Sequence, residues 1–350
     1  MGFYSVKKKA LIRLDSGGKF GLGHVMRSKA LADALFKMQI NCTFAVQSIH
    51  SEDAVIPHQL MKIQSEDDFV SLAKSYDVII IDHYDYTTEL LYKLSKQERS
   101  VLVVLDDECN RGHLYADIVI NPVKNASSLP YKEMAPDAKF LFGPEYVLLR
   151  ALFKDMDCQP FTPSFFKQRK SIVITFGGSD VTGLTLPVLK LIHNTSLVNF
   201  EVIVVTGAGC KNSNEIAQYC QKKHFTYQHN VKNMAALFSK ARLAISAAGS
   251  TAFELAYCGV PSVFAVVADN QLHSVKEQCQ YGWCQMVDCR EQSRNSKNAV
   301  ELLSLAEQLL NSGQLEKLSQ TAQTVIDGKG AQRIAACIKH EISKRKMSDC

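Results

Sequence analysis

Short apolar runs alternate with stretches of helical period along most of the chain. The runs are Ala10–Leu14, Cys42–Val46, Val78–Ile81, Val101–Leu105, Ile118–Ile120, Ile172–Phe176, Val202–Val205, Leu243–Ile245 and Ser262–Val267. Their length and Val/Ile content suit strands buried on both faces of a parallel sheet. Segments of helical period, such as Val25–Phe36 and Leu184–Ile192, lie between many of them. Strand–helix alternation sustained over this length predicts α/β architecture.

The pattern restarts once. A first set of strands ends near Asn121, and a less regular, proline-containing stretch runs from Pro122 to Pro163. A strand and a glycine turn then open a second set at Ile172–Gly178. Two doubly wound Rossmann-like domains are therefore expected, residues 1–160 and 161–350, facing a cleft, with a boundary around 155–170. In such folds ligands bind outside the carboxyl ends of the strands, at the point where strand order reverses. The segment from Asn298 onward reads as helices, the last of them basic and either packed back or solvated.

Composition narrows the classes. With 350 residues and 46% hydrophobic content the chain can bury a sizeable core, which excludes disordered and collagen-like classes. No run approaches the roughly 18 apolar residues of a spanning helix, so no stable membrane insertion is expected. The start, through Lys7-Lys8-Lys9, has no apolar signal core behind it, and a cytoplasmic location is expected. Net charge is +5, which does not by itself imply nucleic acid and suits an anionic small ligand equally well. The eleven cysteines read as reduced thiols, several of them small core hydrophobes, and show no metal-ligand spacing.

The first chemical feature is Arg13-Leu-Asp15-Ser-Gly17-Gly18-Lys-Phe-Gly21-Leu-Gly23-His24-Val-Met-Arg27. It matches neither a P-loop nor G-x-G-x-x-G. A strand ends at Leu14, glycines let backbone approach a ligand, and a helix opens around His24. The helix start offers N–H groups and a positive dipole end to an anion. That field disfavours the imidazolium, so a neutral His24 able to accept a proton is expected. Such a ring is a candidate general base, the alternative being a histidine that only caps the helix.

Three further polar turns follow strands in the second half. Gly177-Gly178-Ser179 follows Ile172–Phe176 and can cradle a phosphate with backbone N–H groups. Gly249-Ser250-Thr251 opens a helix carrying Glu254, which is either a ribose-binding carboxylate or the partner of Thr251 in a capping box. Asp269-Asn270-Gln271 follows the next strand at the same sheet edge. Together they suit a nucleotide better than any one alone.

The glycine–histidine turn, the Gly177–Ser179 loop and the Gly249–Pro261 helix start together resemble GT-B-fold enzymes related to the MurG-type glycosyltransferases. A closer resemblance is to the UDP-sugar hydrolases of the pseudaminic acid pathway, which act on UDP-2,4-diacetamido-2,4,6-trideoxy-β-L-altropyranose. It rests on Arg13-x-Asp15 with Gly21-x-Gly23-His24 and Arg27, Ile80-Ile81-Asp82-His83-Tyr84, Asp106-Asp107-Glu108, Asp117–Asn121, Gly143–Arg150 and Gly177–Asp180, in that order. Phe253-Glu254 departs from the Asn-Glu pair of some members.

The resemblance implies that His24 activates water for attack at the anomeric carbon, with inversion and release of UDP. Tyr84 and His83 would lie beside the reacting sugar. Asp15 and Arg13 would orient the loop or His24. Gly177, Gly178 and Ser179 would hold the pyrophosphate and Glu254 the ribose. Diphosphate is a good leaving group, so one base and one water suffice, unlike glycosidases with two carboxylates. No cofactor and no metal are expected, although Asp106-Asp107-Glu108 follows a strand and is of a type that binds Mg²⁺. The rival reading is a glycosyltransferase with an unidentified acceptor. A third is a nucleotide-sugar-binding regulator, which would not need His24.

Overall fold

The computed structural model describes residues 8–15, 22–48, 58–83, 85–150, 152–153 and 162–348. The chain divides into two units, residues 1–151 with 328–350, and residues 152–327.

The first unit is built on a seven-stranded sheet with the order β3-β2-β1-β4-β5-β6-β7. The strands are β1 Lys8–Arg13, β2 Ile40–Val46, β3 Gln59–Lys62, β4 Val78–Ile81, β5 Val101–Leu105, β6 Ile118–Asn121 and β7 Lys139–Phe142. All pairings are parallel. β1 lies between β2 and β4, so strand order reverses there. β4 and β5 are apolar throughout because helices cover both faces. One face carries Ile12, Phe44, Ile80 and Val103 against Leu31 and Leu35 of the first helix, Leu22–Lys37. The other carries Leu11, Ile79 and Val104 against Phe69, Leu91 and Leu94.

The second unit repeats the plan with the order β10-β9-β8-β11-β12-β13. Its strands are β8 Ser171–Thr175, β9 Glu201–Thr206, β10 Thr226–His229, β11 Ala241–Ala247, β12 Ser262–Val266 and β13 Cys284–Asp288. They too are parallel throughout. The reversal falls between β8 and β11. This is the doubly wound order of a dinucleotide-binding sheet.

The structure corrects the expected boundary at 160/161. The last helix, Gly330–Ser348, belongs to the first unit, so the chain crosses between units twice. The reason is its apolar stripe: Ala331, Ile334, Ala335, Ile338 and Ile342 sit in the same core as Leu31 and Leu35. Arg345 adds bonds to the Glu98 and Ser100 carbonyls and to Asp117. The Gly143–Arg150 segment forms the seat for this helix. Arg333 donates to the Glu145 carbonyl, and a Cβ at Gly330 would overlap the Val147 carbonyl oxygen. Gly330→Ala is therefore expected to destabilise the protein by about 1–3 kcal/mol, the usual cost of overpacking. Chemical denaturation of the variant checks this.

Candidate active site

In the first unit the polar side chains converge on the carboxyl ends of β1 and β4, where the strand order reverses. Asp82 follows β4 directly, and its backbone N–H donates to the Arg13 carbonyl at 3.0 Å. Its carboxylate is buried, at 1% exposure, yet collects four donors. His24 Nδ1 lies 2.6 Å from Asp82 Oδ1. Arg27 Nε reaches both carboxylate oxygens at 3.0 Å, and its Nη2 reaches Oδ1 at 2.5 Å. Ser28 Oγ donates to Oδ2 at 2.6 Å.

The first helix explains this convergence. His24, Arg27 and Ser28 are spaced three and four apart, so one helical face presents all three to the strand end. Burial works against the charge on Asp82, but Arg27 and His24 outweigh it and hold the carboxyl well below the usual carboxylate range. An ionised Asp82 accepts, so His24 donates from Nδ1–H. Arg27 is itself fixed from the far side by Asp107 at 3.2 Å.

A second cluster lies beside the first. Asp15 Oδ1 accepts the backbone N–H groups of Gln47 and Ser48 at 2.7 and 3.1 Å, and pairs with Arg13 at 2.9 Å. Its Oδ2 meets His83 Nε2 at 3.0 Å. Burial opposes the Asp15 charge, but the His83 hydrogen bond and the Arg13 guanidinium prevail, and its carboxyl lies well below the usual range. Arg13 also binds Glu66 at 2.8 Å.

These contacts bear on two expectations. The group that orients His24 is Asp82; the contacts of Asp15 and Arg13 go to His83, Glu66 and the loop after β2. His83 was expected beside the reacting sugar as a catalytic group. Its Nδ1 accepts the Asp85 N–H at 3.1 Å while its Nε2 meets Asp15, so the buried ring is braced at both nitrogens. Gly23 lies in the first turn of the helix with His24. Gly21 and Tyr84 lie outside the described residues.

The acidic triplet after β5 does not act as a unit. Asp106 is buried and accepts from Tyr86 and Tyr131 hydroxyls at 2.8 and 2.7 Å. Asp107 turns to Arg27, and Glu108 accepts from Asn110. Among the described residues no group of three His, Cys, Asp or Glu side chains is placed to hold a metal ion.

In the second unit the expected residues line the carboxyl edges of adjacent strands. Gly177 follows β8 with φ +77°, a conformation open to glycine, and Gly178 and Ser179 are exposed. The next helix, Thr185–Leu191, falls within the expected segment Leu184–Ile192, and the Asp180 carboxylate accepts the Leu184 and Thr185 amides at its start at 3.0 Å. Gly177–Ser179 is thus a loop of its own, ahead of that helix.

That loop leans on a turn the sequence reading passed over. Gly209 N–H donates to the Gly178 carbonyl at 3.0 Å, and a Cβ at Gly207 would collide with Gly178. The signal was available as Thr206-Gly207-Ala208-Gly209 immediately after the run Val202–Val205.

Gly249 follows β11, and Ser250 precedes the helix Thr251–Tyr257 without a side-chain cap bond. Thr251 is inside the helix, so the capping-box alternative for Glu254 falls away. Glu254 is 4% exposed. Gln271 approaches Gly249, whose Cβ would lie 3.8 Å from the Gln271 amide nitrogen. The Gln271 carbonyl accepts the Val267 N–H at 2.9 Å, and Asn270 stands beside it in the first turn of the helix Asp269–Gln280.

Residues 172–327 match the glycosyltransferase family 28 C-terminal domain. The chain is 28% identical over 278 residues to an uncharacterized protein of Methanocaldococcus jannaschii, covering 75% of this chain and 56% of that one. It is 23% identical to the spore coat polysaccharide biosynthesis protein SpsG of Bacillus subtilis, covering 93% and 96% of the two chains. It is 24% identical over 258 residues to the pseudaminic acid cytidylyltransferase and UDP-2,4-diacetamido-2,4,6-trideoxy-β-L-altropyranose hydrolase of Helicobacter pylori, covering 73% and 44%. The chain therefore spans about half the length of the first and last of these relatives.

Among solved structures, MurG of Acinetobacter baumannii superposes with a TM-score of 0.65 at 14% identity, over 95% of this chain and 99% of that one. The S. aureus MnaA–UDP structure gives 0.62 at 13%, over 96% and 97%. The architecture is the GT-B fold, two Rossmann-like α/β units on parallel sheets. The second unit carries its match to the family 28 C-terminal domain. No described helix is long and apolar enough to cross a membrane.

Proposed function

We propose that this chain hydrolyses a UDP-linked 2,4-diacetamido-2,4,6-trideoxy sugar at the anomeric carbon, with inversion, releasing UDP and the free sugar for nonulosonic acid synthesis. The observation that carries the reading is His24 Nδ1 held 2.6 Å from a buried, ionised Asp82. A histidine anchored in this way has one nitrogen for catalysis and one for orientation, the arrangement of an activated base. The relation to the H. pylori hydrolase and the family 28 match support the substrate class.

In this reading His24 Nε2 takes a proton from the attacking water as the C–O bond to the diphosphate breaks. Arg27 keeps Asp82 charged, and the Arg13–Asp15–His83 cluster stiffens the loop beside it. Tyr84 is assigned to the sugar through its place in the Asp82-His83-Tyr84 motif, and Gly21 and Gly23 to the loop around it. The amides of Gly177, Gly178 and Ser179 take the diphosphate, whose developing charge they stabilise. Glu254 takes the ribose hydroxyls, and Gly249, Ser250, Thr251, Asn270 and Gln271 frame the nucleotide. UDP leaves as a stable anion, so no general acid and no metal are required, and EDTA is expected to leave turnover unchanged.

Glu254→Ala should weaken UDP binding by roughly ten- to a hundred-fold, the loss of charge-assisted hydrogen bonds. Isothermal titration with UDP reads this, and unchanged affinity would remove Glu254 from the nucleotide site. A second reading, transfer of the sugar to an acceptor, is favoured by the glycosyltransferase family match. The two separate on a single point: a hydrolase releases UDP from its UDP-sugar with water alone.

A further inference from the structure

Two thiols of the second unit stand apart from the nucleotide edge. Cys279 lies in the last turn of the helix Asp269–Gln280 and is half-buried, while Cys284 opens β13 and is 5% exposed. The intervening turn is sharp: Gly282 has φ +81° and its N–H donates to the Cys279 carbonyl at 2.9 Å. Trp283, fully buried, pins the turn by packing edge-on against Phe264 with ring centroids 5.6 Å apart. The turn therefore brings the two sulfurs to 3.8 Å, with the Cys284 thiol donating to the Cys279 sulfur. Disulfide bond length is about 2.05 Å, so closure brings the sulfurs together by under about 2 Å.

Both cysteines line one cavity of about 710 Å³, together with Gln285, Met286, Glu301 and Leu305. A small disulfide has room to reach them there. The hydrogen bond from Cys284 pulls the Cys279 thiol down despite its burial. Burial, foremost, pushes the Cys284 thiol up. Burial likewise raises Cys42, Cys109, Cys210, Cys220 and Cys289.

We propose that Cys279 and Cys284 form a reversible dithiol–disulfide pair that takes a low-molecular-weight disulfide as its oxidant, with Cys279 attacking and Cys284 resolving. The Cys279 thiolate attacks one sulfur of the small disulfide; that S–S bond breaks, one thiolate leaves, and a mixed disulfide forms on Cys279. Cys284 then loses its proton and attacks Cys279 Sγ, expelling the second small thiolate. The small disulfide is reduced to two thiols, and the protein loses two hydrogens. A donated hydrogen bond that lowers one thiol beside a resolving thiol is the arrangement such exchange needs.

The test uses the full, reduced chain incubated with oxidised glutathione, then alkylated and mapped by mass spectrometry. The peptide spanning Cys279 and Cys284 should lose two hydrogens and carry no alkyl group, and dithiothreitol should restore both sites. In Cys284→Ser, Cys279 should retain a glutathione adduct, formed roughly ten-fold faster than at the half-buried Cys337. Alkylation of both thiols after oxidation of the wild-type chain would overturn the proposal. So would glutathione on Cys279 at no more than the Cys337 rate. The wild-type map decides the matter even where the variant is poorly folded.

Discussion

Replacing His24 with alanine is expected to lower turnover of the UDP-sugar by about 10²–10⁴-fold, the usual contribution of a positioned general base, while UDP affinity is retained. The separation of effects follows from where the residues sit. His24 belongs to the first unit, at the start of the helix Leu22–Lys37, whereas Glu254 and the glycine turns assigned to UDP belong to the second. The ring is 7% exposed, so its removal also leaves a small void against Asp82. A circular-dichroism melt run beside the kinetics distinguishes lost chemistry from lost structure. Loss of turnover together with UDP binding would assign His24 a structural role.

Asp82→Asn is expected to cost turnover nearly as much, about 10²–10⁴-fold by analogy with carboxylates that orient a catalytic histidine, although Asp82 touches no substrate in the proposed scheme. The amide fills the same volume but can turn its N–H toward Nδ1. The ring then keeps its proton on Nε2, where the base must be empty. A positioning role predicts a fall in kcat with KM little changed and a displaced acidic limb in the pH profile. A purely structural role predicts neither.

The same substitution carries a stability signature. Because the Asp82 carboxyl is held well below its unfolded value, its charge stabilises the native state above the unfolded pKa of about 4. That contribution is lost as pH falls toward the depressed native value. The wild type should therefore exceed Asp82→Asn in stability at neutral pH, with the gap narrowing below about pH 4. Urea titrations at pH 7 and pH 3 read it, and a constant gap would contradict the assigned charge.

The nine strands legible in the sequence are the interior strands of the two sheets, and the four it did not reveal are β3, β7, β10 and β13, which stand at the sheet edges. The cause is solvent. β4 reads VIII and is buried at every position, whereas β3 and β10 are exposed or half-buried throughout and carry the polar–apolar mixtures QLMK and TYQH. An edge strand packs against one neighbour; β7, KFLF, holds three apolar residues, yet only Leu141 of them is buried. The helix Gly330–Ser348 was legible as a helix but not in its allegiance. Its Ile334 and Ile338 match either core in composition, and only shape and the seat at Gly143–Arg150 select the first unit.

The site divides in the same way. His24 and Arg27 stood out because glycines precede them and a helix start supplies chemistry that sequence shows directly. Asp82 was visible within the Asp82-His83-Tyr84 motif, but its role was not, since that depends on β4 lying next to β1. Asp15 and His83 carried chemistry-bearing side chains, yet their pairing with each other emerges only when strand ends separated by 68 positions meet.

Proton NMR of the purified protein with UDP-2,4-diacetamido-2,4,6-trideoxy-β-L-altropyranose, with no acceptor present, tests the central claim most directly. Hydrolysis by a single water activated at His24 predicts free sugar appearing first as the inverted anomer, in step with UDP, and none with His24→Ala. A UDP-sugar that stays intact in the presence of folded, UDP-binding protein would contradict it.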